Sequence, residues 1–575
     1  MPVRYEFIDN ILADKGLNNP NLNVLVADQH LYKTMLYQHK GDLTATEIGR
    51  KFIGNIDQNT AGEKFDSFFK LAMAEGADLI MTPEYSCPII CLSNCLKNNV
   101  LPAENHIWVI GCESLSPQEF REFIENNNNV VIISESDAAT SHEDKLLDPI
   151  VYLFKTTEAA SGEVKTVLLF QFKTFPMGGT PIEAANLLFG TRRFIFRNDE
   201  DSIYLATINC SESLEIDLVG NLRQFVHHPY LLLHPQMNTS PRTNALKNYR
   251  TQFFNSCELD VEKEVISLNW ATGSDAAGTK INYGNSAIYT KAQKISTTDN
   301  RVTNNDNLGL YYNDWVNAKA SILVFDDGEA IFYFENAKVS RRTLPVQNQG
   351  RHGPKMLKRF IWDNGWKNLS VSLNQDFAKM CLKIGGDFNV FLSPALQWVS
   401  KERLLSLSVG EIDGNKLKSA FPSKLFSIAD NEESNRLTVF QDPATQENKR
   451  LLLNKYASLV NLISAGNNLI PTDSHMIDMV GKLEISYNEN DHFYNINGPS
   501  GIPSCIVYLG DSDDAKVSEL EATLISLSND NNLPNRLLIL YNHLGVSKKN
   551  YKKSAPVVNA PNNSSRIGIN KKTND

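Results

Sequence analysis

The chain has 575 residues, 42% of them hydrophobic and 21% charged, with a formal net charge of −10. That length exceeds what one hydrophobic core serves, so a soluble chain of two or three domains is expected. The acidic balance excludes a general attraction to nucleic acid or anionic membrane, and no apolar stretch approaches the roughly 20 residues of a membrane-spanning helix.

The N-terminus, Met1–Glu6, lacks the continuous apolar core of a signal peptide. Eight cysteines without paired spacing suit a reducing compartment, so a cytoplasmic location is expected. Asn238-Thr239-Ser240 then carries no glycosylation meaning.

Asn23–Asp28 reads as the first strand. Between Ala61 and Gly76, Phe65, Phe68, Phe69, Ala72 and Met73 recur at helical spacing, and Gly76 supplies the stop. The apolar run from Asp78 closes on Glu84. A helix is expected over Cys87–Leu96, with Pro88 near its start, then strands at Ile107–Cys112 and Val130–Ser134. Ile150–Phe154 and Val164–Lys173 read as a hairpin across the polar Thr156–Glu163, and its second arm closes on Lys173. Phe194–Phe196 and Ile203–Asn209 read as another, turning at Arg197–Asp201 and stopping abruptly at Cys210. Tyr230–Leu233, a helix near Thr243–Ser256, and strands at Glu264–Asn269 and Ser286–Thr290 follow.

This alternation predicts a layered α/β domain over residues 1–345. Asp299–Asn307 reads as a surface loop, and Leu344–Pro354, with its Pro, Gly, Gln and Asn, as a linker. Residues 346–546 keep apolar runs at Asn389–Leu392, Leu451–Leu462 and Cys505–Leu509, a helix-like Asp514–Ser528 and a strand at Leu537–Tyr541. They predict a second α/β or α+β domain. Residues 547–575 read as a disordered, basic, Asn-rich tail.

Glu84, Lys173 and Cys210 each end an apolar strand, where a site can open to solvent. A carboxylate, an ammonium and a thiol so placed make a nucleophilic-catalysis set. A lone cysteine is most often an inert buried one, and it is the company of Glu84 and Lys173 that reverses this expectation. Cys87, Cys91 and Cys95 share one helix face but have no fourth ligand at metal spacing, so they are read as packing. His227, His228 and His234 are read as pocket-rim or structural residues rather than metal ligands. Gly498–Ser504 has the glycines and serines of a phosphate loop. Its two prolines remove N–H donors, however, and no Gly-Lys-Ser/Thr follows, so a turn is expected. No metal and no cofactor is expected.

The order and context of these residues resemble the nitrilase superfamily, the carbon–nitrogen hydrolases with a Glu-Lys-Cys triad. Leu79-Ile80-Met81-Thr82-Pro83-Glu84 is similar to that family's apolar strand ending in Pro-Glu. Phe172-Lys173-Thr174-Phe175-Pro176-Met177-Gly178 resembles its lysine motif, and Ile208-Asn209-Cys210-Ser211-Glu212 its cysteine elbow. Leu231–Pro235, Leu268–Trp270 and Tyr283–Ile288 resemble later strands in the right order. The resemblance covers roughly residues 20–340. It implies a four-layer α-β-β-α sandwich and a homodimer or higher oligomer. It also implies a thiol-dependent hydrolase of amide, nitrile or carbamoyl C–N bonds, working through a thioester. Ser211 and Glu212 would line the oxyanion pocket.

Two departures stand out. The family's second glutamate follows a glycine shortly after the lysine, where this chain has Gly179, which makes Glu183 the candidate second carboxylate. Leu214 occupies a position where many members carry arginine. These departures leave open a catalytically degenerate binding or scaffold protein. A glutaminase feeding ammonia to the C-terminal domain is the third reading, against which stands the lack of an ATP-binding signature. That domain would also suit a protein partner; nucleic acid and membrane are not expected partners.

Overall fold

The computed structural model describes the chain from Val3 to Ser554, apart from residues 136–144, 216–227, 292–310, 340–353, 370–403, 411–442 and shorter stretches. Two units separate, one formed mainly by Met1–Met380 and the other mainly by Arg450–Asp575.

The first unit is mixed α/β with several sheets. Among the described residues, a nine-stranded sheet runs in the order Trp366–Asn368, Lys355–Trp362, Ala330–Ala337, Leu31–Gln38, Leu79–Met81, Ile107–Gly111, Pro149–Thr157, Val164–Phe172, Val131–Ile133. An eight-stranded sheet runs Arg4–Phe7, Arg192–Phe196, Tyr204–Thr207, Tyr230–Pro235, Lys263–Leu268, Ala287–Lys291, Ala320–Val324, Tyr311–Asn313. Successive side chains of a strand point to opposite faces. Leu205 accordingly joins a core shared with Leu79, Val109 and Tyr152 of the larger sheet, whereas Tyr204 and Ala206 join Tyr249 and Phe253 of the helix Asn244–Asn255. On the larger sheet, Ile80, Trp108 and Phe170 turn the other way, toward Phe65, Phe68, Cys91 and Phe120. Both faces of these strands are therefore apolar, which is why they read as continuous hydrophobic runs rather than alternating ones.

The helix expected at 61–76 spans Gln58–Glu75. The Asp57 side chain caps its N-terminus by accepting from Thr60 N at 3.0 Å, and Gly76 ends it with φ +63°. Phe65, Phe68, Phe69 and Ala72 are buried, but Met73, expected on the same face, is 46% exposed because it lies at the margin of the stripe. Both expected hairpins form, as antiparallel pairs of Pro149–Thr157 with Val164–Phe172 and of Arg192–Phe196 with Tyr204–Thr207.

The strand expected at Asn23–Asp28 is instead a 3-10 turn, Asn23–Leu25, in which the Asn23 side chain bonds Asp78 Oδ1 at 2.9 Å. A strand that the sequence hid, Leu31–Gln38, lies inside the larger sheet. It pairs parallel with Leu79–Met81 and antiparallel with Ala330–Ala337. The boundary expected at 345 is also displaced. Lys355–Trp362 pairs with Ala330–Ala337, placing Phe360 opposite Ile331, so the first unit reaches beyond it. Residues 344–353 of the expected linker, the Asp299–Asn307 loop and the Asn389–Leu392 run lie outside the described residues.

The second unit carries a five-stranded sheet in the order Glu484–Ile485, Ile496–Asn497, Pro503–Asp511, Leu537–His543, Val546–Tyr551. The helix Asp514–Ser528 connects the parallel pair Pro503–Asp511 and Leu537–His543, which makes a βαβ unit. Gly498–Ser504 contains a turn, closed by Gly501 N donating to Gly498 O at 2.9 Å. Residues 547–551, expected to begin the tail, lie in the sheet. Val546–Tyr551 is an edge strand, Lys548 pairs with Asp514 at 3.1 Å, and Lys549 Nζ donates to Leu469 O at 2.9 Å. Limited proteolysis should therefore spare this strand. Rapid cleavage between Val546 and Tyr551 in the native protein would contradict the pairing. Among the described residues, no helix is long and apolar enough to cross a membrane.

Candidate active site

Thr82-Pro83-Glu84 leaves the end of the strand Leu79–Met81, and its path is fixed from several sides. Thr82 Oγ1 accepts from Gly111 N at 2.9 Å, Ser86 Oγ donates to Pro83 O at 2.7 Å, and Trp270 Nε1 donates to Glu84 O at 2.7 Å. Gly111 is required here, since a Cβ would lie 2.0 Å from Pro83 O. Tyr85 turns the chain with φ +56°, a left-handed value uncommon outside glycine.

Lys173 follows the strand Val164–Phe172, with its backbone N donating to Asp148 O at 3.0 Å. Its Nζ lies 2.5 Å from Glu84 Oε1, 2.6 Å from Glu183 Oε1 and 3.5 Å from Asp148 Oδ2. Glu183, on the short helix Pro181–Asn186, also accepts from Met177 N at 3.0 Å, and this aims its carboxylate inward. It thus meets Lys173 ten residues along the chain. The ammonium also sits 5.6 Å from the centre of the Tyr85 ring.

Cys210 follows the strand Tyr204–Thr207 and opens the 3-10 turn Cys210–Leu214 with φ +42°. Such a conformation costs on the order of 1–3 kcal/mol and persists only where the surroundings enforce it. Glu212 is the enforcing group. Its Oε2 accepts from Asn209 N at 2.7 Å, and its Oε1 accepts from Thr174 N and Thr174 Oγ1, both at 2.7 Å. Buried Arg193, whose Nε lies 3.5 Å from Glu212 Oε2, neutralises this carboxylate. Glu212, expected to line the pocket, therefore staples the end of the lysine strand to the cysteine elbow, because both of its oxygens are taken by backbone and Thr174. Ser211 Oγ donates to Phe175 O at 2.9 Å. Below the elbow, His234 Nε2 lies 3.0 Å from Cys210 O, and its Nδ1 is 2.5 Å from Tyr249 Oη. Burial lowers the His234 pKa to about 3, so the ring is a neutral support under the Cys210 loop. Cys87, Cys91 and Cys95 are core residues beneath the larger sheet.

Glu84, Lys173, Glu183 and Cys210 are thus brought together, each at most 1% exposed. Burial raises the Glu84 pKa, with Lys173 opposing it and Glu183 adding to it. Burial by itself would lower Lys173, but Glu84, Glu183 and Asp148 hold it well above the ordinary lysine value. Burial, then the Glu84 charge, pushes the Cys210 thiol well up, against Lys173. The resting site therefore holds a thiol, a firmly charged ammonium and a carboxylate with heightened proton affinity. Glu84 Oε2 has no hydrogen-bond partner among the described residues.

The sequence did not single out Asp148, Trp270 or Arg193. Asp148 stands just before the apolar strand Pro149–Thr157, at its N-terminal end, where an apolar run gives no sign of a site, unlike the C-terminal tips that carry Glu84, Lys173 and Cys210. Arg193 carried a readable signal, a cation inside the apolar strand Arg192–Phe196.

No protein-family model matches the sequence, and no curated protein matches it. Solved structures do. An amidase from Nesterenkonia sp. is 13% identical, with 53% of this chain and 93% of that one covered and a TM-score of 0.29. Glutamine-dependent NAD+ synthetase from Acinetobacter baumannii is 12% identical, with 56% of this chain and 49% of that one covered and a TM-score of 0.32. A CN-hydrolase superfamily protein from Xanthomonas campestris is 11% identical, covering 45% and 82%, with a TM-score of 0.26. In its N-terminal half, this chain is similar to nitrilase-superfamily amidases and to a CN-hydrolase superfamily protein.

Proposed function

We propose that the first unit hydrolyses a non-peptide C–N bond of a small amide, nitrile or carbamoyl substrate, with Cys210 as nucleophile, Glu84 as general base and acid, and Lys173 as the charge-stabilising group. The observation that carries this reading is the convergence of Glu84, Lys173 and Cys210 from three separate strand ends into one water-excluded cluster. The layered packing described above supports a four-layer α-β-β-α arrangement around it.

For an amide, Glu84 takes the thiol proton as sulfur attacks the carbonyl carbon, and the carbonyl electron pair moves to oxygen. Lys173 and the Ser211 backbone N–H stabilise that oxyanion. The C–N bond breaks as Glu84 returns the proton to the leaving nitrogen, giving ammonia or an amine and a thioester on Cys210. Water, deprotonated by Glu84, then cleaves the thioester and releases the acid and the thiol. The Lys173 ammonium keeps its proton throughout, as its contacts with Glu84 and Glu183 require. Incubation with a metabolite extract, followed by peptide mass spectrometry, should reveal an acyl adduct on Cys210 and none on Cys87 or Cys505. An extract that acylates no cysteine, or acylates Cys505 equally, would count against the assignment.

A further inference from the structure

Three carboxyl groups surround a single ammonium in this site. Glu84, Asp148 and Glu183 are each 0% exposed around Lys173. Were all three ionised, two negative charges would lie buried without a cation, and proteins resolve such a conflict by protonation. The distances indicate which group gives up its charge. Glu84 and Glu183 approach Lys173 Nζ to 2.5 and 2.6 Å, but Asp148 only to 3.5 Å. Asp148 Oδ2 instead accepts from Asn209 Nδ2 at 3.0 Å, and its Oδ1 has no hydrogen-bond partner among the described residues. Its backbone carbonyl accepts from Lys173 N at 3.0 Å. Asp148 therefore touches the lysine arm directly and the cysteine arm through Asn209, the residue before Cys210. The titratable groups that face it are Glu84, Lys173, Glu183 and the Tyr85 hydroxyl. Burial and the Glu84 charge hold its acid well above the ordinary carboxylate range.

We propose that Asp148 is a positioning residue, a neutral carboxyl that ties Asn209, and with it Cys210, to Lys173 and Glu84 without adding charge to the site. The inference rests on the reading of Cys210 as nucleophile. A neutral carboxyl offers one acceptor and one O–H donor, and asparagine offers an acceptor and an N–H donor in the same shape. A carboxylate acting by its charge on Lys173 would have no such substitute.

The test compares full-length wild type, Asp148→Asn and Asp148→Ala. The rate of Cys210 alkylation by iodoacetamide is followed by peptide mass spectrometry between pH 6 and 9, beside each protein's unfolding temperature. Asp148→Ala leaves the Asn209 amide unpaired, so alkylation should slow by roughly 10- to 100-fold at pH 7. Asp148→Asn should recover that rate to within about threefold of wild type. The pH profile separates this role from mere packing. Where wild-type Asp148 gives up its proton, the new charge beside Glu84 opposes thiolate formation, so the rise of rate with pH should flatten there. Asp148→Asn has no proton to shed there and should keep rising. An Asn variant as slow as Ala, or an Ala variant as fast as wild type, would overturn the proposal. Should Asp148→Ala fail to fold, the rate and profile of Asp148→Asn decide alone. A wild-type Cys210 no more reactive than Cys87 would remove the nucleophile reading, and the proposal with it.

Discussion

Cys210→Ala and Cys210→Ser should each lower turnover of the acylating substrate by at least about a thousandfold, while stability changes by no more than about 1–2 kcal/mol. Alanine removes the nucleophile. Serine keeps the size but presents a hydroxyl that a carboxylate is too weak a base to ionise. Neither change disturbs the elbow, because Glu212, Asn209 and Thr174 hold it through backbone and neighbouring groups rather than through the sulfur. Glu84→Gln should be as damaging, since an amide cannot take the thiol proton, although it still accepts from Lys173. Lys173→Ala removes the only cation within reach of the developing oxyanion among the described residues that form the site, a loss of several kcal/mol in the transition state. The pH dependence follows from Glu84. Its raised pKa means that the base form appears at higher pH than for an ordinary glutamate, so kcat/KM should climb through the range above the usual carboxylate value. Steady-state kinetics on the four variants provide the check. A Cys210→Ala protein that keeps its turnover and its biological role would make the cluster a relic and leave a binding module in place of an enzyme.

The meeting of Glu84, Lys173 and Cys210 was legible because its signal is local. An apolar β-rich run that stops at a polar residue marks a strand tip, and three such tips carried a carboxylate, an ammonium and a thiol. What was hidden depended on the third dimension. Leu31–Gln38 escaped notice because Lys33, Thr34 and Gln38 interrupt its apolar pattern, yet Thr34 and Gln38 are fully buried. Gln38 shows how that is tolerated: its Nε2 donates to Gly328 O at 2.8 Å, and its Oε1 accepts from Ser286 Oγ at 2.5 Å. Glu212 looked like a pocket residue from its place after the cysteine, but the register between two strand ends turned it into a staple. Glu183 was a candidate by sequence offset alone, and a six-residue helix brings it to Lys173. Around residue 345, a polar linker-like composition does not report that the strand Lys355–Trp362 returns to the same sheet.

Lys173→Met should destabilise the first unit by about 3–5 kcal/mol at pH 8, the cost of leaving a buried charge cluster without its cation, and by distinctly less at pH 5. Methionine fills the same apolar volume, so the loss is electrostatic rather than a cavity effect. In the wild type, Lys173 is held above its ordinary pKa. Its contribution is therefore fully present below the unfolded lysine value and constant between pH 5 and 8. In the variant, Glu84 loses the cation that opposes its burial and is pushed further toward the protonated form, while in the unfolded chain it is ionised above its ordinary value. The folded state then binds more protons than the unfolded state, and each such proton lowers stability by about 1.4 kcal/mol per pH unit. Wild type carries a milder form of the same slope, because Glu84 and Asp148 are already raised in the folded state. Urea unfolding of both proteins at pH 5 and pH 8 measures the difference. Adding Glu183→Gln to Lys173→Met removes one of the stranded charges and should restore part of the loss at pH 8 but little at pH 5. A loss that is the same at both pH values, or one below about 1 kcal/mol, would mean that the carboxyls are not coupled through Lys173 as the 2.5 and 2.6 Å contacts imply.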